Sequence, residues 1–142
     1  MRYKWNFILA SFFTEAGFTF SIGRIKLMTN QSLLELAIKY FKLRGYQVEQ
    51  DVMLNGASGV LQTFDLLISR PESRHIVMVK DWKRTVGVNM VINIDRASAD
   101  VRIPNPIIVA EMFSDHAKAY ANRRGVTLLT KREILAQISE PS

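Results

Sequence analysis

The chain has 142 residues, 48% of them hydrophobic, and carries 19 Lys+Arg against 13 Asp+Glu for a formal charge of +6, with no cysteine. That length and composition describe one domain able to bury its own core without disulfides, and they exclude a disordered chain. Thiolate nucleophiles, zinc–thiolate sites and iron–sulfur clusters are excluded with the cysteines, and two histidines, His75 and His116, exclude a multi-histidine metal centre.

Half of the net charge falls in residues 1–28, where Arg2, Lys4, Arg24 and Lys26 stand against Glu15. The apolar run from Phe7 to Phe13 is too short to span a bilayer, and Glu15 ends it with no small-residue cleavage site behind it. Neither a membrane span nor a secretory signal is expected, and the expected location is the cytoplasm. Met28-Thr29-Asn30 reads as a start immediately before a well-formed helix. Residues 1–28 are therefore expected to be an N-terminal extension and residues 29–142 a single domain; an added β-hairpin or dimerising arm is the alternative for the first segment.

From residue 29 the pattern is orderly. Ser32 with Glu35 three positions on fits a capping box, and Leu33, Leu34, Ala37, Tyr40 and Phe41 form a helical stripe that closes near Gly45. Tyr46 to Leu54 alternates as a strand, Asn55 to Gly59 is a turn, and Val60 to Ser69 is a more apolar strand. A turn over 70–74 leads into a third strand, His75 to Lys80, so three strands in an antiparallel meander are predicted. Val86 to Val101 mixes β-branched content with a helical face at Val88, Val91, Ile94 and Val101, and is assigned as helix. Pro104 and Pro106 bracket the approach to a buried strand, Ile107 to Ala110. Ser114 is an N-cap for a helix ending at Arg124-Gly125, Val126 to Leu129 is a further strand, and Thr130 with Glu133 caps a last helix. The order α-β-β-β-α-β-α-β-α specifies an α/β fold, a mixed sheet flanked by helices.

Asp65 is the anomaly in the second strand, a carboxylate among Phe64, Leu66 and Leu67, where burial without a partner costs several kcal/mol or forces protonation. Lys80 closes the third strand in the same predicament. If the hairpin turn centres on Pro71 to Ser73, regular alternation puts Asp65 and Lys80 on one sheet face. That pairing is either a structural ion pair or part of a site.

These residues carry a resemblance. The helix with Glu35, then Gly45-Tyr46-Gln47-Val48-Glu49, Gly56-Ala57-Ser58-Gly59, Phe64-Asp65 and Met78-Val79-Lys80, resembles the PD-(D/E)XK nucleases. The branch it is most similar to contains Mrr-type restriction endonucleases and archaeal Holliday-junction resolvases. The resemblance runs from residue 29 to about 138 and includes Ala117-x-x-Tyr120-Ala121 followed by Gly125-Val126. It implies a restriction-endonuclease-like fold and a metal-dependent endonuclease acting on DNA. Asp65, the Val79 backbone carbonyl and Glu35 would hold Mg²⁺ or Mn²⁺, and Lys80 would orient the attacking water. It also implies a homodimer. Hard oxygen ligands suit Mg²⁺, which stabilises charge on phosphate oxygens.

One position departs. Residue 78, an acid in that family, is Met, and a soft thioether is a poor ligand for Mg²⁺. Asp81 is sent to the other face by strand parity unless a bulge intervenes, while Glu49 and Asp51 stand on the neighbouring strand. A catalytically silent DNA-binding or assembly module of the same fold is the alternative function. Met78 also has an ordinary reading as core packing, and Glu35 as capping box or i,i+4 partner of Lys39. Trp82 is either a stacking surface or a rim residue. Lys83 and Arg84, beside Lys80, are the candidate phosphate contacts, and Ser58 lies in a turn whose amides either approach a phosphate or simply close a hairpin.

Overall fold

Ser32 begins the first helix as its sequence requires. Its hydroxyl accepts the Glu35 amide and the Glu35 carboxylate accepts the Ser32 amide, both at 3.1 Å, and helix α1 runs Leu33–Leu43 with Leu33, Leu36, Ala37 and Phe41 buried. The computed structural model describes residues 31–139, so the expectations for residues 1–28 lie outside the described residues. After α1 come β1 (Gln47–Asn55), β2 (Leu61–Arg70), β3 (Ser73–Val86), α2 (Val88–Val101), β4 (Ile107–Phe113), α3 (Asp115–Arg124), β5 (Thr127–Thr130) and α4 (Lys131–Ser139). The expected order of elements is therefore observed, and the region of mixed signals is helix α2, which buries Val91, Ile94 and Ser98.

The five strands lie in chain order, β1-β2-β3-β4-β5. The first three form the antiparallel meander, with Arg70 paired to Ser73 across a turn at Pro71-Glu72, and β4 and β5 add in parallel. Two apolar clusters cover the two faces. One combines Leu67, Ile76 and Ile108 of the sheet with Val91 and Ile94 of α2 and Ala117 and Ala121 of α3. The other combines Leu66, Ile68, Val77 and Val109 with Leu36 and Phe41 of α1 and Ile134 of α4. Among the described residues no helix is long and apolar enough to cross a membrane.

Two irregularities shape the sheet. Val48 packs on the α1/α4 side, but Val52 and Leu54 pack on the α2/α3 side; the turnover falls at Asp51, held in the left-handed region at φ 52°. On β2, Phe64 faces α2/α3 while Leu66 and Ile68 face α1/α4, so the reversal there falls at Asp65. The second irregularity is in β3. Lys80 pairs with Ala110 and Thr85 with Met112, so residues 81–84 stand against the single Glu111 and bulge out of the ladder. The third strand thus runs on to Val86, past the end at Lys80 that the sequence predicts: the four polar and aromatic residues 81–84 read as a strand end because the bulge breaks alternation.

The turn between β1 and β2 is fastened to the end of α2. Asp100 accepts the Ser58 amide (2.9 Å), the Ser58 hydroxyl (2.8 Å) and the Gln62 side-chain amide (2.9 Å). Gly56 passes so close that an added Cβ would lie 1.8 Å from an Asp100 carboxylate oxygen. Gly56→Ala should therefore destabilise the fold by about 1–3 kcal/mol in urea denaturation, because the carboxylate must leave its donors. Adding Asp100→Ala to that variant should cost little more, since the methyl group has already displaced the carboxylate from Ser58 and Gln62.

Candidate active site

β2 and β3 separate where the chemistry-bearing residues lie. Their ladder runs from Arg70↔Ser73 to Leu66↔Val77 and stops, so β2 continues against β1 and β3 against β4. Asp65 stands at this fork. Its carboxylate accepts the Val79 amide at 2.7 Å, supplying the acceptor that the parting strand no longer provides. The structure thus brings Asp65 and Val79 into direct contact, with Lys80 the next residue along. Asp65 turns between the sheet faces, and among the described residues it forms no ion pair with Lys80.

Lys80 and Met78 share the α2/α3 side of β3 and line one pocket of about 310 Å³ with Gln62, Phe64, Met90 and Asn93. Among the described residues no carboxylate lines that pocket. Met78 is half-buried against the α2/α3 core, which accounts for an apolar side chain at this position. The Lys80 ammonium lies 5.6 Å from the Trp82 ring and the Arg84 guanidinium 4.4 Å from it, so the bulge gathers two cations over one indole. The indole N–H is buried and lacks a hydrogen-bond partner among the described residues. Lys83 is exposed on the same bulge.

Other predicted residues are placed elsewhere. Glu35 is exposed and bound in its capping box, so the structure brings it to Ser32 and not to Asp65. Asp81, at the start of the bulge, accepts the Leu33 amide at 3.1 Å and so satisfies an orphan donor of α1. Ser58 spends both its amide and its hydroxyl on Asp100. His116 is exposed in the first turn of α3. Among the described residues no group of three or more His, Cys, Asp or Glu is placed to hold a metal ion.

The hydrogen bonds from Gln62 and Ser58 hold the Asp100 carboxyl below its ordinary value of 3.8. Because the folded value lies below the unfolded one, the stabilisation is present above pH 3.8 and is lost as pH falls through the folded value. Asp100→Asn should consequently be less stable than the parent at neutral pH, with the gap closing in acid, as followed by denaturation midpoints between pH 7 and pH 2. Sequence reasoning missed this anchor and the pocket residues Gln62 and Asn93; nothing local marks them, because both roles arise from α2 packing over the fork.

A sequence profile for a restriction endonuclease family matches residues 25–138. The chain belongs to that family. Among solved structures, this restriction-endonuclease-like chain is similar to a protein of unknown function, AF1548, with a TM-score of 0.66 and 18% identity over 75% of this chain and 66% of that one. It is also similar to a repair endonuclease from Pyrococcus abyssi, with a TM-score of 0.53 and 11% identity over 87% of this chain and 50% of that one. The chain spans between half and about two thirds of the length of these proteins. At such identities the likeness is one of fold, a mixed sheet with helices on both faces. No curated protein matches the sequence.

Proposed function

We propose that this restriction-endonuclease-like chain binds DNA and hydrolyses its phosphodiester bonds at the β2/β3 fork. The observation that carries the reading is the Asp65 carboxylate seated on the Val79 amide beside Lys80, in a chain of this family. Water adds to phosphorus and one ester P–O bond breaks, its oxygen leaving as a hydroxyl after taking up a proton.

The donor set suits a Mg²⁺ or Mn²⁺ ion with few protein ligands. One Asp65 oxygen is engaged by Val79, the other accepts no hydrogen bond among the described residues and would serve as a ligand, the Val79 carbonyl is a second hard donor, and Mg²⁺ commonly completes its shell with waters and substrate phosphate. When bound, the ion would supply charge stabilisation at the phosphate. Lys80 adds a positive charge in the pocket wall, where it steadies the incoming water or a phosphate oxygen. Lys83 and Arg84, exposed on the bulge, are assigned to the flanking phosphates. Glu35 keeps its capping role and Ser58 its bond to Asp100. The proposal includes a homodimer, so that two copies address two strands, a cytoplasmic location, and a division of the chain into an extension over 1–28 and one domain over 29–142.

A second reading is favoured by Met78 and the carboxylate-free pocket: a module that retains DNA binding without cleavage. Incubation with supercoiled plasmid and Mg²⁺ or Mn²⁺ separates the two. Nicking supports hydrolysis, whereas salt-dependent duplex binding with no nicking under either metal supports the silent module.

A further inference from the structure

At the Ser73 end of β3, away from Lys80, lies a second concavity, formed by the β2–β3 turn and the segment joining α2 to β4. It has a volume of about 510 Å³, and Arg70, Arg74, His75 and Arg102 line it with Glu72 as its single acid among the described residues. None of its arginines is ion-paired to a carboxylate among the described residues. Arg70 instead stacks 4.0 Å from the Tyr46 ring and donates to the Arg44 carbonyl, which fixes its guanidinium at the rim. The floor is built as well: the His75 Nδ1 lies 2.9 Å from the Asn105 carbonyl, and Asn105 donates to the Gly125 carbonyl at 3.3 Å.

The decisive residue is Arg102. It caps α2 at φ 61° and ψ 36°, a left-handed conformation in which glycine is the favoured residue. A guanidinium there complements the negative end of the helix dipole, and it also lines the pocket beside Arg70 and Arg74. Three guanidiniums in one concavity concentrate positive potential, and planar forked donors match a tetrahedral oxyanion better than any other side chain.

We propose that this pocket binds a phosphate group, with Arg74 and Arg102 as its principal donors, and that the group belongs to DNA lying across the end of the sheet. The second clause rests on the DNA-binding reading above; the first does not. Lys80 lies six positions beyond Arg74 along β3, about 20 Å at the strand rise, so the pocket is a contact independent of the fork.

The test uses the full chain and two variants, Arg102→Gly and Arg74→Ala. Arg102→Gly removes the guanidinium while relieving the left-handed residue, so its Tm should hold or rise. Duplex affinity should fall several-fold at low salt in each variant, and the slope of log K against log salt should flatten by about 0.9, the change expected when one phosphate is no longer neutralised. Inorganic phosphate should raise the Tm of the parent chain and not of the variants. Loss of the inorganic phosphate shift with unchanged duplex affinity would assign the pocket to free phosphate in place of DNA. Unchanged duplex affinity, slope and phosphate shift in both variants would overturn the proposal. A parent chain that binds no duplex defeats the DNA-binding reading, and the phosphate arm then still decides the pocket.

Discussion

Replacing Lys80 by alanine is expected to lower plasmid nicking by roughly 10²–10³-fold, the loss that follows removal of one preorganised donor from the place where charge develops. The fold should survive, since the ammonium's recorded neighbour among the described residues is the Trp82 ring, an interaction of about 0.5–1 kcal/mol at exposed sites. Asp65 needs a subtler substitution. Asp65→Ala abandons the Val79 amide in a half-buried setting and should cost about 1–3 kcal/mol in addition to activity. Asp65→Asn keeps an oxygen for that amide and removes only the charge, so it should fold like the parent and fail to nick. Nicking at the parental rate in both Asp65→Asn and Lys80→Ala, measured with Mg²⁺ and with Mn²⁺, would remove the fork as the active site.

Met78→Glu is expected to increase divalent-metal affinity by at least about tenfold in calorimetry, because it places a hard oxygen where the thioether offers none. Position 78 shares with Lys80 the wall of a pocket that has no carboxylate among the described residues. Lys80 in the same wall gives the new charge a partner, which limits the cost of its partial burial. The two functional readings differ in the parent. A hydrolytic chain binds Mg²⁺ before the change, dependent on Asp65, and a silent module acquires measurable binding only with Glu at 78. Affinity that does not respond to Met78→Glu would mean that this position does not face the metal.

The fold was legible where local chemistry and periodicity agree. Ser32 with Glu35 and Thr130 with Glu133 form the capping boxes their spacing announces, and Gly125 closes α3 in the left-handed conformation. Short turns between three consecutive strands pointed to the meander, and the second of them closes at Pro71-Glu72, inside the expected Pro71 to Ser73. Asp65 and Lys80 could be picked out because a charge in an apolar strand demands a reason. Their relation could not, for regular alternation put them face to face, whereas β2 turns over at Asp65 and its carboxylate reaches the Val79 amide instead. The bulge after Lys80 was invisible for a related reason: the number of residues it takes up is set by β4, far away in sequence. Asp81 and Asp100 each found a distant amide, at Leu33 and Ser58, which no spacing rule connects.

The chain-order arrangement of the sheet also bears on how the protein is made. Every strand neighbours the one synthesised just before it, so no strand has to be threaded between two that are already in place. The β2/β3 hairpin that carries Asp65 is antiparallel and closed by a two-residue turn, so it is quick to form, whereas Lys80 takes its ladder partner, Ala110, from β4. β4 and β5 join in parallel across helical crossovers, pairings of longer sequence separation that are expected to form more slowly than the hairpin. Until they dock, the apolar β3 edge stays open on the side where Val79 and Lys80 are to be paired, and a chain stalled at that stage is prone to aggregate before its fork is complete.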